Sequence, residues 1–70
     1  MKIDMAQLGS RCRDFRRSRR YYQSDVAEAT GYTVKTISLF EAGKNDNYRI
    51  LLWYMRHGMT LNEVIGYGEE

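Results

Sequence analysis

Proline is absent from this chain of 70 residues, and beyond its arginine-rich first third the turn-forming residues gather at Gly31, at Gly43 to Asn47, at Gly58 and at Gly66 to Gly68. The stretches between these breaks are long enough for two or three helical turns, and nothing in them forces a kink. Short helices joined by tight turns are therefore expected, and with them an all-α fold.

Apolar spacing within each stretch supports the same reading. Met5, Leu8, Cys12 and Phe15 fall at i, i+3, i+7 and i+10, one face of a first helix running from Met5 to Arg19. On that wheel Arg16 lies inside the apolar stripe, whereas Arg13, Arg17 and Arg20 point away from it. An arginine on a core face needs a carboxylate partner. Gln23 to Thr30 reads as a second helix with Val26 and Ala27 inward. Gly31 should stop it in the left-handed conformation that glycine adopts without a steric penalty.

Thr33 is a good N-cap for a third helix from Val34 to about Ala42, which turns Ile37 and Phe40 to one side and ends at Gly43. The run Ile50 to Met55 predicts a buried fourth helix closed by His57 and Gly58, since Leu and Met favour helix over strand. Thr60-Leu61-Asn62-Glu63 carries the spacing of a capping box ahead of Val64 and Ile65, which marks a short fifth helix. The expected organisation is one domain over residues 1–66 with a frayed acidic tail at 67–70.

A chain this short buries only about 60% of its unfolded surface, so a single core is the ceiling. With 43% hydrophobic and 29% charged residues, the composition is that of a folded domain and not of a disordered chain. The longest apolar run is too short for a transmembrane helix, and the amino terminus lacks the apolar segment of a signal peptide. A cytoplasmic location with no membrane partner is expected. Cys12 has no second cysteine to pair with, and one cysteine with one histidine cannot complete a four-ligand zinc site. No cofactor is called for. Neither a Cys/His or Ser/His arrangement with a third group nor a phosphate-cradling glycine loop is present, so an enzyme is not expected.

The charge is uneven. Residues 1–24 hold seven basic groups against two acidic ones, a net +5, while residues 25–70 hold four against seven, a net −3. Such an asymmetry points to a polyanionic partner. The stretch from Gln23 to Ala42 then narrows the choice. A small Ala27 allows close approach, Gly31 supplies the turn, and Val26, Ile37 and Phe40 seal the joint against the first helix. Together these describe two helices crossing steeply over a tight turn, a helix-turn-helix.

Over residues 8–65 the chain resembles the helix-turn-helix family of lambdoid phage repressors, Cro proteins and xenobiotic-response-element-like regulators. The matching residues are Leu8-Gly9 and Arg16, then Gln23 to Ala27, Gly31-Tyr32-Thr33, Thr36-Ile37-Ser38, Phe40 to Lys44, and Gly58 to Ile65. The resemblance implies a compact five-helix bundle whose third helix enters the DNA major groove while the second crosses the backbone. It also pairs Arg16 with Glu41, which supplies the carboxylate that the helix wheel demands independently.

Carried over to this chain, the base-edge readers would be Val34, Lys35, Ser38 and Leu39. Gln23, Lys44, Asn45 and Thr36 would touch phosphates, joined by Tyr22 and Arg11. Three departures matter. Tyr22 stands where relatives carry a Ser or Thr N-cap, and its phenol could reach a phosphate instead. Val34 and Leu39 replace polar readers and can meet only thymine methyls or a partner's apolar surface. His57 stands where an apolar residue is usual and is expected to pack at the core boundary.

The function implied is a sequence-specific, double-stranded DNA-binding transcriptional regulator, a phage or mobile-element repressor acting as a homodimer on a palindromic operator. The alternative is a module that keeps the fold and turns the recognition face to a protein partner, as an antitoxin or anti-regulator would. A third reading, the first helix as a basic amphipathic segment for membranes or RNA, conflicts with the need for its apolar face in the core.

Overall fold

The computed structural model describes residues 4–60, 62 and 64. Among them the chain is all-helical, with α1 at Met5–Ser18, α2 at Gln23–Thr30, α3 at Val34–Glu41 and α4 at Tyr48–Arg56. Four helices rather than five are formed among the described residues. The fifth, expected over 60–65, falls on a stretch where 61, 63 and 65 lie outside them, as does the tail at 67–70. What is described there is one helical bond, from the Val64 N–H to the Thr60 carbonyl at 3.0 Å, and a buried Val64 side chain.

Each helix start is secured by a side chain or by its neighbour. The Asp4 carboxylate accepts from the Ala6 and Gln7 amides at 2.9 and 3.3 Å, satisfying donors that the first turn leaves without helical partners. Thr33 Oγ1 accepts from the Thr36 amide at 3.1 Å. Asn47 Oδ1 accepts from the Arg49 amide at 3.0 Å, so α4 begins two residues ahead of its apolar run. At α2 the N-cap Tyr22 makes no such bond with its side chain; instead the Asp25 carboxylate reaches back to the Tyr22 amide at 2.7 Å. Half of a capping box thus replaces the missing Ser or Thr.

Between α2 and α3 the chain turns over Gly31, whose φ of 81° lies in the left-handed region where an L side chain is strained. α1 ends one residue short of its expected limit. The Phe15 and Arg16 carbonyls accept from the Arg19 amide at 3.1 and 3.2 Å, and Arg20 follows at φ 63°, the one positive φ outside glycine among the described residues.

The core joins Leu8, Cys12 and Phe15 of α1 to Val26 and Ala27, Ile37 and Phe40, and Ile50, Trp53 and Tyr54 of the other three helices. Phe40 and Tyr54 stack with centroids 5.9 Å apart, and Trp53 meets Tyr54 and Tyr21 edge-on at 5.2 Å. Each such large side chain contributes about 1.5–3 kcal/mol through its burial. α4 is amphipathic and not buried all round: Ile50, Trp53 and Tyr54 face inward at helical spacing, while Tyr48 and Leu52 are exposed. A continuous apolar run on a short helix necessarily carries some of its members to the outer side.

Cys12 is fully buried, with its sulfur 3.8 Å from that of Met59. Burial first, and then the Glu41 charge, push its thiol up to about 12, far from the thiolate form that redox chemistry needs. His57 stacks on Trp53 at 4.0 Å and 24°, with Nδ1 2.7 Å from the Trp53 carbonyl oxygen. The ring lies at the edge of the core.

Candidate nucleic-acid interface

The position of α3 is set by a buried polar cluster. Arg16 and Glu41 are 6% and 4% exposed. The guanidinium approaches the carboxylate two-pronged, Nε donating to Oε2 at 2.8 Å and Nη2 to Oε1 at 3.0 Å, while Nη1 donates to the Tyr21 carbonyl at 2.9 Å. Glu41 accepts two further bonds, from Gln23 Nε2 at 3.1 Å and from the Tyr54 hydroxyl. A buried ion pair needs further partners for its donors and lone pairs, and here each guanidinium nitrogen donates at least once and each carboxylate oxygen accepts twice.

The titration of these groups follows from the geometry. Burial pushes the Glu41 carboxyl up, but the bonds from Arg16, Tyr54 and Gln23 outweigh it and hold the group below the ordinary carboxylate range. Arg16 is raised, chiefly by its bond to Glu41 and against its own desolvation. The Tyr54 phenol is pushed far up by burial and then by the adjacent carboxylate, so it remains a donor.

One carboxylate thus ties α1 through Arg16, the start of α2 through Gln23, and α4 through Tyr54 to the last residue of α3. In the sequence Tyr54 stands out only as a member of an apolar run, and Gln23 is expected at a phosphate; in the structure both meet Glu41. Neither partner has a local signal. Gln23 and Tyr54 lie 18 and 13 residues from Glu41, and only the packing of the helices brings them to it.

With Ile37, Phe40 and Glu41 held inward, the opposite side of α3 is open. Val34, Lys35, Ser38 and Leu39 are all exposed there, Val34 at 45% and Leu39 at 41%. The four residues expected to read bases therefore share the outward side of one helix, at spacings of one, three and four.

The residues expected at phosphates divide. Lys44 is exposed, and Tyr22 is 73% exposed at the start of α2. Gln23 is half-buried, with its amide nitrogen on Glu41. Thr36 and Asn45 are also half-buried and are used within the chain. The Thr36 hydroxyl lies 2.9 Å from that of Thr33, Asn45 Nδ2 donates to the Thr36 carbonyl at 3.4 Å, and Asn45 Oδ1 accepts from the Asn47 amide at 3.2 Å. The Thr36 hydroxyl is thus engaged at the start of α3, and the Asn45 amide, with the Thr36 carbonyl, braces the turn from α3 to α4. Arg11 is half-buried on α1, with Nη2 3.5 Å from Gln7 Oε1. Comparisons of the chain with protein-family models, with curated proteins and with solved structures return no match.

Proposed function

We propose that this chain is a sequence-specific, double-stranded DNA-binding transcriptional regulator of the helix-turn-helix kind, acting as a repressor in the manner of phage and mobile-element regulators. The observation that carries the reading is the asymmetry of α3. One side is locked by Ile37, Phe40 and the Glu41 cluster, while the other presents Val34, Lys35, Ser38 and Leu39 as exposed side chains. A helix held at its core side and bare on the other, preceded by an eight-residue helix across a three-residue turn, suits insertion into a major groove about 12 Å wide.

In this reading α2 crosses the backbone. Tyr22 and Lys44, with the second N–H of the Gln23 amide, take phosphates at the two ends of the α2–α3 unit, and Arg11 adds long-range attraction. Thr36 and Asn45 hold the turn. Lys35 and Ser38 carry the hydrogen-bonding readout, and Val34 and Leu39 meet thymine methyls. One recognition helix reads few bases, so two copies on half-sites about 34 Å apart supply the specificity.

Two measurements test this reading: selection of bound duplexes from a random pool, and titration of the selected duplex with salt. One enriched palindrome and an affinity falling steeply with salt are the expected results. A pool with no enrichment would sink the proposal.

A second reading draws on the same face. Val34 and Leu39 are exposed apolar side chains where polar readers would serve DNA better, which suits an apolar patch on a protein partner. Salt-insensitive capture of such a partner, lost on Leu39→Ala, would favour it. The membrane or RNA reading of α1 has less support, because Leu8, Cys12 and Phe15 are already buried in the core.

A further inference from the structure

The six arginines between residues 11 and 20 differ in what they hold. Arg16 is matched by Glu41. Arg13 donates to Ser10 Oγ at 3.2 Å and lies 3.7 Å from Asp14, and the Arg19 guanidinium sits over the Phe15 ring at 4.8 Å from its centroid. Arg11 contacts Gln7. Arg17 and Arg20 do none of this. Both are exposed, and among the described residues neither has a carboxylate oxygen within 4.0 Å.

These two arginines line one open cleft of about 400 Å³ together with Arg16, Tyr21 and Tyr22. No acidic residue lines it. The Arg16 charge is already matched, so the cleft is lined by two arginines that have no ion-pair partner among the described residues and by the exposed Tyr22. Planar forks of N–H donors with a nearby phenol suit a tetrahedral oxyanion, and the Asp25 carboxylate at the start of α2 is taken up by the Tyr22 amide at 2.7 Å. The cleft opens at the beginning of α2, the helix that crosses the backbone when such a pair docks on DNA.

We propose that Arg17, Arg20 and Tyr22 clamp one backbone phosphodiester of duplex DNA at the edge of the half-site, outside the bases that α3 reads. This inference rests on the DNA-binding reading and adds to it a contact that sets affinity and register without reading sequence. An acidic protein segment is the weaker occupant, because a stable protein contact needs an apolar centre and the cleft presents charge and hydroxyl.

The test is the double variant Arg17→Ala, Arg20→Gly, which removes both charges at exposed positions. Glycine accepts the φ of 63° at position 20 without strain, so the variant should melt no lower than the parent. On a duplex selected by the parent from a random pool, the slope of log affinity against log salt should shrink by roughly 0.9. Affinity at low salt should fall roughly tenfold with base preference unchanged, and Arg17→Lys with Arg20→Lys should recover most of the slope. Replacing single phosphates of the duplex by neutral methylphosphonate should reveal one position that weakens the parent and leaves the variant unaffected.

A folded variant with the parent's slope and affinity would overturn the clamp while leaving the DNA reading intact. A parent that binds no duplex would remove both. Tighter binding of a polyglutamate peptide than of duplex, lost in the same variant, would reassign the cleft to protein.

Discussion

Gly9 lies against the end of α3 so closely that a Cβ at this position would stand 2.4 Å from the Glu41 carbonyl oxygen and 2.7 Å from that of Phe40. These are backbone atoms, which cannot swing aside as a long side chain would. The absence of a side chain on α1 therefore sets how near α3 can come, and with it the reach from Arg16 to Glu41.

Gly9→Ala offers a direct test, because helix propensity and packing disagree in sign. In an exposed helix interior the change would stabilise by about 1 kcal/mol. Here overpacking costs about 1–3 kcal/mol before any widening of the α1–α3 gap is added. The expected result is a lower melting temperature, and a rise would show that the two helices are free to separate.

Removing one member of the buried ion pair should be worse than removing both. Arg16→Met alone leaves a buried carboxylate, and Glu41→Leu alone leaves a buried guanidinium, each at a cost of roughly 3 kcal/mol. Arg16→Met with Glu41→Leu should cost clearly less than the sum, as read from denaturant midpoints in a double-mutant cycle. The Tyr54 hydroxyl and the Gln23 amide lose their acceptor in that double variant, so it should still fall short of the parent. Additive losses would mean that the pair is not coupled.

Acid should unfold the chain partly through Glu41. Its carboxyl titrates lower in the folded state than its ordinary value of 4.5, so the native state binds fewer protons than the unfolded one across that range. The stability it contributes is complete above the unfolded value and is lost as pH falls through the lower, folded one. Urea midpoints measured from pH 7 down to pH 2 should decline below about pH 4.5 in the parent, and Glu41→Gln should flatten that decline. Equal slopes in the two proteins would remove Glu41 as the titrating group.

Lys35 and Leu39 lie four residues apart on the outward side of α3 and can do different things to DNA. Lysine donates to guanine O6 and N7, whereas leucine meets only a thymine methyl. Lys35→Ala should cost roughly 1–3 kcal/mol at one guanine-containing position and relax preference there. Leu39→Ala should matter where a thymine lies beneath it, and uracil at that base should reproduce the loss. A matrix of both variants against single-base changes reads this out. Unchanged DNA affinities together with lost binding to a protein would transfer the face to the second reading.

Lys44→Ala, by contrast, should weaken all duplexes alike and lower the salt slope by roughly one unit. Loss confined to one sequence would make Lys44 a base reader instead of a phosphate contact.

What the amino-acid order determined here is local. The absence of proline, the glycine at position 31, the Thr33 cap and the three-and-four spacing of Leu8, Cys12 and Phe15 each act within a few residues, so four helices and the inward sides of the first three could be read without the fold. The demand of Arg16 for a carboxylate was equally legible, since one helix wheel shows it on the apolar side. Its partner was not, except through resemblance. Glu41 lies 25 residues away, and Gln23 and Tyr54 join it only because three other helices converge on the end of α3. The tertiary structure likewise decided that Gly9 is a contact and not a weak helical residue, that Thr36 and Asn45 hold a turn, and that Leu52 faces outward. Each depends on which surfaces meet in space, a property of packed helices that no single stretch of chain carries.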